Sequence, residues 1–518
     1  MGEAIRVSDQ HRRDDSGRDR LFRNVMAGWW AHGVTVVVGF LLPRIIYESV
    51  GQAALGVWDI GWSLVTYIAY SGLGISSAVT HYVARFRAEG DTSGVRATTA
   101  AASYCQAVIA TAVAALFMML FASLHLWLPG LDGFSLATLS RVGVLLGLAI
   151  VVGLLGAVAQ GVLAGCHRGS WNEYLTIASD VALAAAMVAV LLAGWGILGL
   201  AAATLGVRAV SESIRIVLAV RACEGLSVRL ADASWPWVQR IFTYGTKTSA
   251  GILQELLIHQ FARLALALSA GPAAVASYSR YATVIRQIGR SVERVTQVIP
   301  PMTSGLVGLG REGDVAGFSL RASNAAVMMM LPMILVFGAL GDQLVAAWMG
   351  PEFVIPGLSW VFAAMATLHA DRGVTTQILS GLNSHGRISL ICLVTSLVLL
   401  LGLGVALFPL DPLTTGVLVA VSTVGGVTVP HFLIASRRLG IRPLVHFREV
   451  ALKPLICNAI FLAFLLGAEV FLSRGAYAVA ALTAITGGIV LAILYWFVAF
   501  DERLRSLVRH RLGALGSG

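Results

Sequence analysis

Charged and polar chain is what this sequence has least of. Charged residues make up 12% of its 518 positions, against about 25% in a soluble globular domain, so no stretch is polar enough to form a water-exposed module. The short alternation of apolar and polar residues that marks β-barrel strands is missing too. There is no GxxxxGK[ST] loop, which argues against nucleotide-driven work within the chain. Cysteine is sparse: Cys105, Cys166, Cys223, Cys392 and Cys457 lie in or beside different apolar runs with no metal-ligand spacing. They read as scattered buried thiols rather than as disulfides or metal ligands, and no cofactor is expected. The first twenty residues are hydrophilic, with His11, Arg12, Arg13, Asp14 and Asp15 in a row, so no cleavable signal peptide is evident.

What fills the chain instead is an apolar run that keeps restarting. With 57% hydrophobic residues and a mean hydropathy of +0.80, the sequence predicts spans near 25–43, 55–79, 99–127, 142–166, 174–194, 197–219 and 242–269. Seven more follow near 273–300, 321–348, 354–380, 388–409, 413–435, 452–472 and 477–500. Each has the roughly 20 mostly apolar residues that a bilayer crossing needs. The 55 glycines suit helices packed closely through small residues. The fold class that follows is an all-α polytopic membrane protein of about fourteen helices in two pseudo-symmetric halves. A cytoplasmic tail (1–20) precedes an N-terminal half (21–220), a cytoplasmic connection (221–240), a C-terminal half (241–435), two added spans (436–500) and a tail (501–518).

Orientation follows from the basic residues. With the N-terminus inside, 25 of the 37 Lys and Arg fall in inner tails and loops, and only Arg44, Arg141 and Arg474 fall outside. Both tails are basic, as an even number of spans requires, so both termini are expected in the cytoplasm of an inner membrane. The net charge of +10 is then a topology signal plus attraction to anionic lipid heads. Nucleic-acid binding is disfavoured because no basic soluble module exists to carry it.

One regularity divides the chain. Glu89-Gly90-Asp91 with Gly94 and Glu312-Gly313-Asp314 with Gly317 repeat an EGDxxG motif about 220 residues apart, and Arg-Ala follows both at Arg96 and Arg321. One hairpin earlier, Arg44, Gly51, Ala53, Ala54 and Trp58 match Arg263, Gly271, Ala273, Ala274 and Tyr278 at nearly the same offset. Six spans between copies predict a parallel repeat, an arrangement in which transporters hold cargo at the midplane between halves.

Ionisable residues inside spans are costly and usually face a cavity or a partner. Span seven carries Lys247, Glu255, His259 and Arg263, the last three on a face about 80° wide. Span eight carries Arg280, Arg286, Arg290, Glu293 and Arg294 on a stripe of about 140°. Span ten adds His369, Asp371 and Arg372; the first half offers Asp59, Asp180, Arg208, Glu212 and Arg215. Glu212 and Arg215, near the inner end of span six, are expected to snorkel to the surface. Arg286 and Arg290, one turn apart in mid-span, are expected to line an aqueous cavity. Arg263, Arg280, Arg286, Arg290 and Arg372, with His259, are the candidate cargo-binding set, because guanidinium matches phosphate oxygens in a bidentate geometry. Asp59, Asp180, Glu255 and Asp371 are candidates for pairing these arginines in the empty state or for taking up coupling protons.

The stretch Gly51-Gln-Ala-Ala-Leu-Gly-Val-Trp58, then Ser63 to Tyr67, Leu73-Gly74, His81-Tyr82-Val-Ala-Arg85 and Glu89-Gly-Asp91 resembles the start of the Wzx-like polysaccharide flippases of the MOP exporter superfamily. The resemblance spans essentially the whole chain. It implies a MATE-like fold and a bacterial inner-membrane flippase that moves polyprenyl-diphosphate-linked oligosaccharide for O-antigen, capsule or exopolysaccharide synthesis by alternating access through a cation-lined lumen. Polymerase and chain-length proteins of the same pathway would be its partners, and the protein would not be an enzyme. A multidrug antiporter for organic cations fits less well: the acid such proteins carry in the first span is absent from Val25 to Pro43. A peptidoglycan-precursor flippase shares the cargo chemistry and stays open. A glycan polymerase or ligase needs a sizeable external loop, and the longest here is the short stretch 128–141.

Overall fold

The computed structural model describes residues 33, 36–63, 65, 73–131, 133–166, 168–223, 232–296, 299–382, 384–473, 475, 477–500 and 505. Among them every regular element is helical. The N-terminal part holds α1 (Val36–Ser63), α2 (Leu73–Glu89), α3 (Thr92–Trp127), α4 (Leu136–Gly165), α5 (Gly169–Leu192) and α6 (Gly196–Ala222). After it come α7 (Trp235–Thr296), α8 (Ile299–Gly308), α9 (Gly313–Met349), α10 (Leu358–His369) and α11 (Arg372–Gly381). The series closes with α12 (His385–Ala406), α13 (Pro412–Thr423), α14 (Val429–Leu439), α15 (Pro443–His446), α16 (Lys453–Ser473) and α17 (Tyr477–Leu494). The chain divides into two compact units, Met1–Ile252 with Gly271–Ala273, and Leu253–Ala270 with Ala274–Gly518.

The chain is a multi-pass membrane protein. Eleven helices are long and apolar enough to cross a bilayer, and a helix is the form in which a lone segment satisfies its own backbone there. Fourteen spans are expected from sequence, and the difference has local causes. Val36–Ser63 and Leu256–Val292 each run through what sequence divides into two spans. Span ten is not one helix: it breaks after His369 and restarts at Arg372, and neither piece is long enough to cross alone.

The breaks coincide with the repeat. Gly51 has φ +83° and Gly271 has φ +80°, a left-handed conformation that glycine adopts without a Cβ clash. The two glycines matched by sequence interrupt α1 and α7 at equivalent places. The residues matched downstream, Trp58 and Tyr278, are both buried. Their upstream partners diverge: Arg44 pairs with Glu48 at 2.6 Å on the surface, whereas Arg263 is buried. The EGDxxG copies also diverge locally. Gly90 is left-handed at φ +71° and Asp91 caps α3 by accepting from the Gly94 amide at 2.9 Å. In the second copy the left-handed residue is Gly310, and Asp314 sits inside the first turn of α9, accepting from Arg311 at 2.7 Å.

In unit 1, α4 is the central element, packed on α2, α3 and α6. Its core comprises Val79, Val83, Ala101, Ala102, Val162 and Leu163. Glycines set the approach of backbones. A Cβ on Gly56 of α1 would lie 1.8 Å from the Pro272 carbonyl oxygen, and Gln52 Nε2 donates to the Ala273 carbonyl at 3.5 Å. In unit 2, α9 packs on α10 and α16, and α12 packs on the π-helical turn Val424–Thr428 that joins α13 to α14. Gly426 admits that turn, since a Cβ there would meet the Ser396 Cα at 2.4 Å.

Gly56→Ala is expected to cost about 1–3 kcal/mol through forced backbone displacement. The check is the yield of monodisperse protein and its thermal unfolding in detergent, with Gly206→Ala, where a Cβ meets open space, as the neutral control.

Candidate functional site

The ionisable residues of unit 2 gather where its helices are irregular. On the arm of α7 before Gly271, His259 is half-buried and Arg263 is 4% exposed. On the arm after it, Arg286 and Arg290 are half-buried one turn apart. Arg263 and Arg286 both lie within electrostatic range of His259. The spacing of four residues that puts His259 and Arg263 on one helix face therefore does bring them together, and Arg286 joins from the second arm. Arg286 also reaches Thr283 Oγ1 at 3.5 Å. Arg290 has no hydrogen-bonding or ion-pair partner among the described residues.

A second group sits at the break between α10 and α11. Arg372, the first residue of α11, meets His369 Nε2 at 3.2 Å, and the other ring nitrogen of His369 meets Thr428 Oγ1 at 2.7 Å. Thr428 ends the π-helical turn, which also presents its own hydroxyl to the Thr423 carbonyl at 3.2 Å. One turn into α11, Thr375 Oγ1 meets His431 Nε2 at 2.9 Å. Asp371 accepts from His446 Nε2 at 2.7 Å, with both side chains largely buried. His259 of the first group lies within electrostatic range of His369 of the second, as do Arg372 and His431.

Of the candidates named from sequence, then, Arg263 and Arg286 lie within electrostatic range of His259, and Arg372 contacts His369. Arg280 is 2% exposed, donates Nε to the Ala276 carbonyl at 3.2 Å and lies 5.8 Å from the Trp348 ring on α9. Asp371 belongs to the break, but its recorded partner is His446 rather than an arginine. Glu255 is carried by α7, and its side chain lies outside the described residues, as do those of Lys247, Glu293 and Arg294. Asp59 and Asp180 are half-buried on α1 and α5 of unit 1, in a different compact body from the arginine group.

Several members are missed by sequence reasoning. His431 and Thr428 fall in an apolar run, and nothing in the run marks the π-helical turn except Gly425, Gly426 and Pro430. His446 falls in a basic stretch that reads as an inner loop, yet the membrane helix begins at Pro443 and His446 is 7% exposed. In unit 1, Cys166 and Cys223 end α4 and α6 side by side. The Cys223 thiol, with Arg87 and Arg168 nearby, holds Cys166 down to about 7.

Unit 1 also corrects an expectation. Glu212 and Arg215 do not reach for the surface: Arg215 NH1 donates to both Glu212 oxygens at 2.6 and 2.5 Å, and the side chains are 12% and 10% exposed. Gly153 and Gly156 on α4 leave the room, since a Cβ at either would meet Arg208 or Glu212. Arg208 lies 6.0 Å from the ring of Trp62, which stacks on Trp58 at 5.6 Å.

The chain matches no protein family model and no curated protein. Its fold matches solved structures: an inward-facing multidrug resistance MATE family transporter of the MOP superfamily superposes with a TM-score of 0.64 at 16% identity, covering 77% of this chain and 94% of that one. The lipid II flippase MurJ in an inward closed conformation gives 0.67 at 10% identity over 91% and 98%. A MOP superfamily transporter from Pyrococcus furiosus described as having a binding pocket of reverse polarity gives 0.60 at 15% identity over 80% and 94%.

Glu212→Gln leaves a buried guanidinium without its counter-charge and is expected to cost about 3–5 kcal/mol, whereas replacing the pair together (Glu212→Leu with Arg215→Met) restores most of the loss. Thermal unfolding of the purified variants checks this; a Glu212→Gln protein as stable as the parent would mean that Arg215 finds water. The chain has the fold of the MOP-superfamily transporters.

Proposed function

We propose that this protein is a flippase for a polyprenyl-diphosphate-linked oligosaccharide, acting by alternating access in a bacterial inner membrane with both termini in the cytoplasm. The observation that carries the reading is the gathering of basic side chains in unit 2: Arg263 and Arg286 lie within electrostatic range of His259, and Arg372, His431 and His259 within range of His369. Ionisable side chains gathered inside a membrane body mark a candidate site, and one rich in guanidinium and imidazole suits an anion. Among anions, a diphosphate suits a cluster of forks best, because each guanidinium can take two phosphate oxygens where water is scarce. The chain uses 35 arginines and two lysines, Lys247 and Lys453, which fits planar recognition better than point-charge attraction. Arg290, half-buried and with no partner among the described residues, is the member readiest to meet an incoming phosphate.

Organic cations would be repelled by such a site, which weakens the multidrug reading despite the shared fold. A peptidoglycan-precursor flippase is the second reading, supported by the likeness to MurJ over 91% of this chain; its cargo is the same lipid diphosphate with a different glycan. In both readings the diphosphate is gathered on Arg263, Arg286, Arg290 and Arg372 while the lipid tail stays in the bilayer. Asp371, beside Arg372 and held by His446, stays a candidate for pairing an arginine once cargo has left. Polymerase and chain-length proteins that act on the same glycan are the expected partners.

Deleting the gene in its host and extracting polyprenyl-linked intermediates tests the reading: lipid-linked oligosaccharide should accumulate while surface glycan is lost, and the mass of the accumulated species names the cargo. Unchanged surface glycan with no accumulation would overturn it. In complementation, Arg286→Ala and Arg290→Ala should each lower export about ten- to hundredfold, the size of one charge-assisted contact, at normal protein abundance. Lys at these positions should recover only part of the loss if two-pronged contact matters.

A further inference from the structure

Unit 1 carries a cavity that the cargo reading does not use. It lies between α4 and α6, at the end of the unit where α3 connects to α4 and α5 to α6, and its volume is about 710 Å³. Val144 and Leu145 of α4 form one wall and Leu198 of α6 the other. Gly199 and Ala202 keep the α6 wall low, and a Cβ on Gly199 would lie 2.6 Å from the Trp195 Cβ. The cavity is open to the outside: Val144 is 45% exposed and Trp195 is 63% exposed. At its rim stand Arg141 and Ser140, in the second turn of α4.

We propose that this groove is a binding site for one anionic glycerophospholipid of the outer leaflet. One acyl chain lies along Val144, Leu145 and Leu198. The phosphodiester sits on Arg141 with the Ser140 hydroxyl as a further donor, and Trp195 flanks the headgroup at the depth where aromatic residues collect in membranes. Two observations point to this occupant. The first is composition: the lining surface is almost wholly apolar, and its two polar residues, Ser140 and Arg141, are neighbours in one turn of α4, the layout of a lipid rather than of a soluble metabolite. The second is charge. In the orientation proposed above, Arg141 is one of three basic residues on the outer side, a placement disfavoured for bilayer-crossing chains. A bound anion removes that disadvantage. The stoichiometry of charge selects the kind of lipid: one guanidinium and one hydroxyl match a singly charged phosphodiester, whereas a diphosphate calls for the multi-arginine grouping of unit 2. The outer-leaflet placement rests on the orientation proposed above, whereas the site does not depend on which cargo unit 2 carries.

The experiment is native mass spectrometry of the full-length protein released from detergent, titrated with phosphatidylglycerol, phosphatidylcholine or a polyprenyl diphosphate. The parent protein should retain one phosphatidylglycerol in preference to phosphatidylcholine. Arg141→Gln should weaken phosphatidylglycerol about fivefold, the effect of one basic residue on an anionic lipid, and Arg141→Lys should keep most of the binding. Val144→Trp, which fills the groove from an exposed position and so leaves packing intact, should abolish retention of both phospholipids at this site. Equal binding to the parent, Arg141→Gln and Val144→Trp overturns the proposal, as does equimolar polyprenyl diphosphate displacing phosphatidylglycerol in an Arg141-dependent way.

Discussion

The constraint on which this structure turns is that a guanidinium drawn into an apolar helical body must be met by something. Arginine cannot shed its proton there, so each buried arginine obliges the fold to supply an acceptor, a ring or a ligand. Unit 1 answers with an acid, and Arg215 is held by both oxygens of Glu212 against the glycine face of α4. It answers also with a ring, setting Arg208 over Trp62. Unit 2 answers for Arg372 with an imidazole that is itself steadied by a hydroxyl, through His369 and Thr428. The Glu212 contact is an ion pair closed within one helix; the His369 contact ties a guanidinium to side chains from a separate helix and a π-helical turn.

Irregular backbone is the means by which these side chains are placed. A continuous membrane helix spends its amides and carbonyls on itself, so polar side chains gain freedom of position mostly where the helix is interrupted. Gly51 and Gly271 interrupt α1 and α7 at matched points of the repeat. The break after His369 puts Asp371 and Arg372 at a helix start, where each can turn to a different partner. The π-helical turn Val424–Thr428 aims Thr428 at His369, and it exists because Gly426 lets α12 approach to within Cβ contact distance. Arginine and histidine positions in unit 2 are thus tied to glycine positions that carry no chemistry themselves.

Much of this was open to reading in one dimension. The all-helical membrane class follows from run length and hydropathy, because a bilayer leaves little alternative to helices for apolar segments of about 20 residues. The repeat was visible through Gly51 and Gly271, since a left-handed break is served by few residue types. The meeting of His259 with Arg263 followed from a spacing of four on a single helix, and local geometry of that sort survives folding. Arg286 joining them did not follow, because it comes from beyond the break in α7.

What the sequence determined by itself was the chain's solvent, its helical class, its duplicated turns and the residue types able to hold an anion, all of which rest on composition and short-range periodicity. The tertiary structure decided which charges meet. It set Arg280 over Trp348, turned Glu212 and Arg215 inward, and recruited His431 and His446 from stretches that read as apolar span and inner loop. Those outcomes depend on which helices approach closely and where they break. Such long-range contacts are set by packing of the whole body and leave no periodic trace in any one segment.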